Sequence, residues 1–214
     1  GGVNGLWSDA SNWAGGAIPD RNNVGQIVIA ANQKTTYNAD QFGTTTSKIS
    51  NAGLVTLTAT QNFILANDVS GPGDLLYRGT GQLTVSGNNT FSGKLDIGSG
   101  KVVLAHNNAL GTGHTIVSSG GSVDMTGIVL PKLTVNGPVT VTSAVNTVGD
   151  QVYNGALTFL SSGTPSAGGN PAVANFSSTS GNIAFLGTVS AGAGSKDAER
   201  NLVVDASNGW VLIN

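Results

Sequence analysis

The sequence predicts an all-β fold in which one short strand recurs along a coil of stacked rungs, that is, a parallel β-helix. The main observation is a four-residue unit of alternating polar and apolar residues, which repeats down the chain between Gly, Asn and Ser residues. Alternation with a period of two is typical of a short strand with one buried face. No apolar stripe with a period of about 3.6 residues has a useful length, so we expect almost no helix. A short strand repeated this often favours stacked rungs over an up-and-down sheet.

The predicted strands fall into an irregular first part and a regular middle part. Between residues 25 and 77 they are uneven, whereas residues 79–141 have the most regular spacing, with Gly, Asn-Asn or Ser-Gly at the corners. Such corners need residues that accept positive φ or hydrogen-bond their own backbone. The predicted strands are residues 26–29, 48–49, 54–57, 63–65, 74–77, 82–85, 94–97, 101–104, 122–125, 132–135, 138–141, 156–159, 182–185, 201–204 and 210–213.

The alternation also predicts which side chains point into the core. Residues two apart in a strand share a face, so the apolar members of each unit belong on the buried side. About twenty residues per rung and about 4.8 Å between rungs predict about ten rungs and a rod about 45–50 Å long. The predicted inward residues are Leu83, Val85, Leu95, Ile97, Val123, Met125, Leu133, Val135, Leu157, Phe159, Ile183, Phe185, Leu202 and Val204.

Residues 1–24 are predicted to form an irregular cap in front of a solenoid of residues 25–214. The segment is rich in turn formers and contains Trp7 and Trp13 shortly before the first strand signal. The open end of a stack exposes apolar side chains and unpaired strand edges, so we expect both indoles to be buried over the first rungs. The alternative is that the two rings form a platform on which a sugar stacks.

The composition predicts one continuous unit with a polar, weakly charged surface. Charged residues make up 9% of the chain, against roughly 25% in soluble proteins. The net charge is −2 and the basic residues are scattered, which argues against nucleic acid and anionic lipid as partners. The absence of cysteine excludes disulfides and thiolate metal sites. The start at Gly1-Gly2 and the end inside a strand indicate a piece of a longer solenoid.

Two strand-poor stretches are predicted to be protruding loops that bind a ligand. Residues 161–175 are rich in Gly and Pro, and residues 191–200 concentrate charge at Lys196, Asp197, Glu199 and Arg200. The corners of a solenoid can lengthen without disturbing the stacked core, so specificity belongs in such loops. We therefore predict that these four charged residues contact the ligand.

The sequence does not predict an enzyme, a cofactor or a metal ion. Polysaccharide-cleaving β-helices need clustered carboxylates or a Ca²⁺ site. Asp96 and Asp124 are outward residues that could share a face, and we interpret them as solvated strand residues because no Arg or His is predicted beside them. His106 and His114 flank one corner, and no further ligands are suitably spaced for a metal.

Residues 79–111 resemble a known repeat. Gly79-Thr80-Gly81 precedes the strand at 82–85, Phe91 and Gly93 follow it, and the run Asn107-Asn108-Ala109-Leu110-Gly111 forms a corner. This order closely resembles the autotransporter-associated β-strand repeat of bacterial surface adhesins, with Phe91 in place of the commoner tyrosine. Residues 150–159, 181–189 and 201–204 are similar to repeats of filamentous-haemagglutinin-like exoproteins, and residues 7–19 are similar to a segment that often starts such solenoids.

The resemblance implies a right-handed parallel β-helix that is secreted across the outer membrane and displayed as a stalk. We therefore expect an extracellular, non-enzymatic segment that mediates attachment between cells, to a biofilm matrix or to a host. The expected partners are extracellular polysaccharide, a host-surface or neighbouring-cell receptor, further copies of the chain, and a secretion partner in the outer membrane. The alternative is a carbohydrate-active enzyme or a sugar-binding module on the same scaffold. An ice-binding solenoid is disfavoured because regular Thr-x-Thr arrays are lacking.

Overall fold

Within the described part of the chain, the regular structure is β, apart from one 3₁₀ turn at Ala10–Asn12. The computed structural model describes residues 5–19, 24–38, 47–118, 120–141, 144–159, 172–191 and 200–214. Every strand pair within these ranges is parallel. The chain therefore folds as a β-solenoid of stacked coils, which confirms the predicted all-β parallel architecture.

The strands are short, and most contain two to five residues. They are β1 (Gln26–Ile29), β2 (Lys34–Asn38), β3 (Lys48–Asn51), β4 (Leu54–Thr58), β5 (Phe63–Leu65), β6 (Val69–Ser70), β7 (Asp74–Tyr77), β8 (Gln82–Val85), β9 (Leu95–Ile97), β10 (Gly100–Leu104), β11 (Thr115–Val117), β12 (Gly121–Asp124), β13 (Val129–Leu130), β14 (Leu133–Asn136), β15 (Val139–Val141), β16 (Val145–Thr147), β17 (Gln151–Tyr153), β18 (Leu157–Phe159), β19 (Ala172–Ser178), β20 (Ile183–Phe185), β21 (Val189–Ala191), β22 (Arg200–Ala206) and β23 (Val211–Ile213).

These strands form sheets that the chain visits in turn. The longest sheet has nine strands, in the order β2-β4-β7-β9-β11-β14-β17-β20-β23, and the next has seven, in the order β21-β18-β15-β12-β10-β8-β5. The remaining strands form a three-stranded sheet, β1-β3-β6, and a four-stranded sheet, β13-β16-β19-β22. Strands β6, β13, β16, β19 and β22 each follow a strand of the seven-stranded sheet and precede a strand of the nine-stranded sheet.

The core lies inside the coils and is built from the alternating apolar residues. All the predicted inward residues from Leu83 to Phe185 are buried, and Leu202 and Val204 are half-buried. The last two are more exposed because β22 is the final strand of its sheet, with a neighbour on one side only. The period-two interpretation of the sequence is therefore confirmed for the inward face.

The core also holds polar side chains that hydrogen-bond the backbone of neighbouring coils. Asn51, Asn89, Gln151 and Ser178 are at most 2% exposed. Asn51 accepts from the N–H of Gly53 and donates to the carbonyl of Asp74. Because a buried amide without a partner is costly, such bonds tie successive coils together at positions where the chain turns.

The amino-terminal segment covers the first coil through Trp7. Its side chain is 1% exposed and lies edge-on to Tyr37 of β2, with the ring centroids 4.7 Å apart. The indole N–H of Trp7 donates to the carbonyl of Pro19, and Leu6 forms a parallel bridge with Thr36. The predicted burial is found for Trp7, whereas Trp13 is only partly buried and packs against Trp7.

Candidate functional site

The coils lengthen at one corner of the solenoid, where the chain leaves the seven-stranded sheet for the four-stranded sheet. Residues 160–171 connect β18 to β19, and residues 192–199 connect β21 to β22. Strand β18 pairs with β21 and β19 pairs with β22. Both connections therefore leave the same corner in successive coils. We call residues 160–171 and 192–199 the extended corner.

The register of the core continues past the extended corner. Gln151 pairs with Ile183, 32 positions later, whereas Leu75 pairs with Leu95, only 20 positions later. Tyr153 pairs with Phe185 across this longer coil, and both side chains are buried in the core. The core register is thus the same before and after the longer coil, as the solenoid architecture permits.

The bounds of the two predicted loops are corrected by the strands. Residues 172–175 were expected in the first loop but begin β19, and Ala191 and Arg200 lie in β21 and β22. Arg200 pairs with Ala172 in the parallel ladder. The other three predicted contact residues, Lys196, Asp197 and Glu199, lie outside the described residues. The strand at 172–178 was missed because two of its inward residues, Ala174 and Ser178, are small or polar, so the apolar alternation is weak.

Asp96 belongs to a charged cluster on the outer face of the nine-stranded sheet. A guanidinium nitrogen of Arg78 lies 3.0 Å from a carboxylate oxygen of Asp96. The ammonium group of Lys94 lies 3.9 Å from Asp96 and 4.0 Å from Asp74. Each acid in this cluster has a cation beside it, so the cluster is an arrangement of compensated charges.

Asp124 lies on a different side of the solenoid. Its carboxylate is 2.8 Å from the Lys101 ammonium group, and it accepts hydrogen bonds from the backbone and hydroxyl of Thr126. Burial opposes ionisation of Asp124, but the hydrogen bonds from Lys101 and Thr126 outweigh it and lower the pKa below 3.8. Asp96 and Asp124, which the sequence suggested could share a face, do not share one, because β9 and β12 belong to different sheets. The expectation that no Arg stands beside them is also wrong for Asp96.

The two histidines have different surroundings. His106 accepts a hydrogen bond at Nδ1 from the backbone N–H of Asn108, 3.0 Å away, and His114 is exposed. Within the described ranges, no group of three His, Asp or Glu residues is close enough to hold a metal ion. A hollow of about 680 Å³ opens beside His106, lined by the apolar residues Val129 and Val148. It lies on the side of the solenoid where β6 and β13 form strands and the described coils between them do not.

A second cavity lies between the amino-terminal segment and the first coil. It has a volume of about 390 Å³ and is lined on one side by residues 11–14, around the 3₁₀ turn, and on the other by β1, β2 and the turn between them. Its polar lining residues include Ser11, Asn12, Gln33, Lys34 and Thr35. We call this cavity the cap cleft.

Trp13 forms part of the wall of the cap cleft. Its indole N–H donates to the carbonyl of Trp7 at 2.9 Å, so the nitrogen is engaged by the protein. Trp13 also lines a neighbouring hollow of about 470 Å³ together with Val24 and Val28. The partly buried indole thus stands between two concave surfaces.

The sequence interpretation missed the cap cleft because it missed β2. Strand β2 presents Thr35 and Tyr37 inward, so only one of its two inward residues is apolar. A Thr at an inward position weakens the alternation that identifies a strand. A usable signal was the run Thr35-Thr36-Tyr37, since β-branched and aromatic residues favour strands.

Comparison with known proteins leaves the family open. A stretch of 101 residues is 31% identical to YuaQ, an uncharacterized protein of Escherichia coli K12, and covers 46% of this chain and 7% of that protein. The chain thus matches a small part of a much longer relative. No family model matches the chain, and no solved structure matches it. In the described residues, no helix is long and apolar enough to cross a membrane.

Proposed function

We propose that this chain is a structural and adhesive segment of a large secreted bacterial surface adhesin, which mediates attachment between cells, to a biofilm matrix or to a host. The observation that carries the proposal is the extended corner on an otherwise regular solenoid. A scaffold whose coils lengthen at one corner while its core register continues can vary its surface without losing its fold.

In this proposal the solenoid is right-handed, has about ten rungs and extends from the cell surface as a stalk. The resemblance to autotransporter passengers and filamentous-haemagglutinin-like exoproteins supports this arrangement. The partners are extracellular polysaccharide, a receptor on a host or neighbouring cell, or further copies of the chain, and the parent protein uses a secretion partner in the outer membrane. The charged run that contains Lys196, Asp197, Glu199 and Arg200 is the proposed contact surface.

We also propose that the chain is not an enzyme. The charge-compensated surroundings of Asp96 and Asp124 support this, because each carboxylate is engaged by a cation and the two belong to different sheets. Catalytic carboxylate pairs in glycosidases lie about 5–9 Å apart on one face, flanking the bond that they cleave.

The test removes each part of the extended corner within the parent adhesin. Residues 160–171 and residues 192–199 are replaced separately by a short Gly-Ser linker, which leaves β19 and β22 intact. Cell aggregation and surface attachment are measured, with display of the parent protein checked by antibody binding to whole cells. The matched control is Lys101→Gln, which changes a surface charge on β10, three strands before β18 in the seven-stranded sheet.

Loss of attachment in either replacement, with normal display and an unaffected control, supports the proposal. Unchanged attachment in both replacements rejects the extended corner as the adhesive surface. Cleavage of any polysaccharide by the purified chain rejects the non-enzymatic part of the proposal.

A further inference from the structure

The cap cleft combines features that suit a small hydroxyl-rich ligand. Its volume of about 390 Å³ lies within the range of about 300–1,000 Å³ that is common for small-molecule sites. We propose that the cap cleft binds a short saccharide, with Trp13 as the ring on which a sugar stacks and Thr35 as a hydrogen-bonding group. This inference adds a ligand site outside the extended corner, names its ligand class, and rests on the adhesive role of the chain.

The hydroxyl of Thr35 is the first argument. Thr35 is 7% exposed and lines the cleft, and its Oγ1 is buried without a hydrogen-bond partner among the described residues. A buried hydroxyl that lacks a partner costs about 1–3 kcal/mol. A ligand that donates to or accepts from this oxygen removes that cost, and a hydroxyl can take either role.

The position of Trp13 is the second argument. Because its indole N–H is already bonded to the carbonyl of Trp7, what Trp13 contributes to the cleft wall is the apolar ring. A pyranose ring has a face of C–H groups that packs against an indole and a rim of hydroxyls that reaches polar groups. The ring of Trp13 therefore supplies apolar contact area, while the polar residues around it orient the sugar through hydrogen bonds.

The remaining polar lining residues surround the ring and the hydroxyl. Ser11 and Gln33 line the cleft on opposite sides, the first from the 3₁₀ turn and the second from the turn before β2. Hydroxyl and amide groups both donate and accept, so they match the alternating donors and acceptors of a sugar. Lys34 is the charged residue among the described lining residues, which favours a sugar that carries a carboxylate over a neutral one.

The experiment probes the purified chain with an array of di- to hexasaccharides, in which neutral members are matched with uronic-acid members. The best binder is then titrated by calorimetry against the wild type and four variants: Trp13→Ala, Trp13→Phe, Thr35→Val and, as a control, Thr84→Val. Thr84 lies on the outer face of β8, far along the solenoid from the cap cleft. Thermal unfolding of each variant is measured without ligand.

Thr35→Val is the decisive variant because it should weaken saccharide binding without lowering the unfolding temperature of the free chain. Without ligand, the nearly isosteric valine removes an unpartnered hydroxyl, so the unfolding temperature rises or stays unchanged. With ligand, the affinity falls about tenfold because a hydrogen bond is lost. Trp13→Ala weakens binding by about tenfold or more, Trp13→Phe retains most of the affinity, and Thr84→Val leaves it unchanged.

Three results overturn the inference. They are the absence of any saccharide that binds the wild type, equal affinity of the wild type and Thr35→Val, and equal loss of affinity in Thr35→Val and Thr84→Val. If no saccharide binds while the parent adhesin still attaches to cells, the cap cleft assignment fails and the adhesive role stands. If attachment also fails with normal display, both proposals fail.

Discussion

The side-chain oxygen of Asn89 accepts a hydrogen bond from the backbone N–H of Val69 at 2.8 Å. The side-chain nitrogen of the same residue donates to the carbonyl of Ala109 at 2.7 Å. Val69 and Ala109 lie 20 residues before and after Asn89, in the neighbouring coils, and Asn89 is 2% exposed. One buried amide therefore bonds three successive coils at the side of the solenoid where no strand forms between β6 and β13.

We expect Asn89→Ala to lower the free energy of unfolding by about 2–4 kcal/mol, because it leaves a buried N–H and a buried carbonyl unsatisfied. Urea-induced unfolding of the purified chain measures the change. The matched control is Asn88→Ala, since Asn88 is exposed and accepts one surface hydrogen bond from Asn108. We expect the control to lie within about 0.5 kcal/mol of the wild type. Equal effects of the two substitutions would contradict the role of Asn89.

A second buried bond joins Tyr153 and Gln151. The phenolic hydroxyl of Tyr153 donates to Oε1 of Gln151 at 3.1 Å, and Nε2 of Gln151 donates to the carbonyl of Ser177 at 2.7 Å. The Tyr153 ring also stacks on Phe185, with the centroids 5.1 Å apart. We expect Tyr153→Phe to preserve the ring contact and to cost about 1–2 kcal/mol through the loss of the hydroxyl.

The burial of Tyr153 also predicts that stability depends on pH in the alkaline range. Burial raises the pKa of Tyr153 well above 10.0, so the folded state keeps a proton that the unfolded state loses above about pH 10. Stability from this group is complete below that pH and decreases as the pH rises above it. The stability advantage of the wild type over Tyr153→Phe should therefore be constant near pH 8 and shrink near pH 11. An advantage that is equal at both values would show that Tyr153 does not titrate as a buried group.

The strands with two large inward apolar residues were predictable from the sequence. In β8, Leu83 and Val85 alternate with polar residues, and the predicted bounds are those of the structure. In β2 and β11, a Thr occupies an inward position, at Thr35 and Thr115, and neither strand was predicted. Stacked coils tolerate a buried Thr because the neighbouring rungs complete the packing. The alternation of residues within one strand carries no information about the packing that neighbouring rungs supply.

The placement of side chains on the same side of the solenoid was not predictable. Asp96 and Asp124 both occupy outward positions, but the face on which a residue lies depends on which sheet its strand joins. The conformation of the corner between two strands determines which sheet the second strand joins. Asn136-Gly137 shows the difficulty, because Asn-Gly between two alternating strands is a strong hairpin signal, yet β14 and β15 belong to different sheets.

The ion pair of Asp124 and Lys101 predicts a dependence of stability on acid pH. The pKa of Asp124 is lowered in the folded state, so its contribution is present above the unfolded pKa of about 3.9 and is lost as the pH falls through the folded pKa. We expect Asp124→Asn to cost less than about 1 kcal/mol at pH 7, because the pair is partly exposed. Chemical denaturation at about pH 7 and about pH 2 measures the difference between wild type and variant. A difference that persists unchanged at pH 2 would contradict the assignment.

Close stacking of the coils predicts which glycines accept a methyl group. A Cβ on Gly87 would overlap the backbone carbonyl of Asn67 in the preceding coil and lie 3.1 Å from Oδ1 of Asn89. A Cβ on Gly25 would meet none of the described residues within 4 Å, and neither glycine has a positive φ. We expect Gly87→Ala to cost at least about 3 kcal/mol because backbone must move between coils.

Gly25→Ala is the matched control, and it should be neutral or stabilising by up to about 1 kcal/mol through the reduced entropy of the unfolded chain. Urea denaturation followed by circular dichroism compares the two variants under the same conditions. A fully tolerated Gly87→Ala would mean that the coils at this corner stand further apart than the structure places them. A strongly destabilised Gly25→Ala would mean that the chain before β1 packs more closely than the open surroundings of Gly25 indicate.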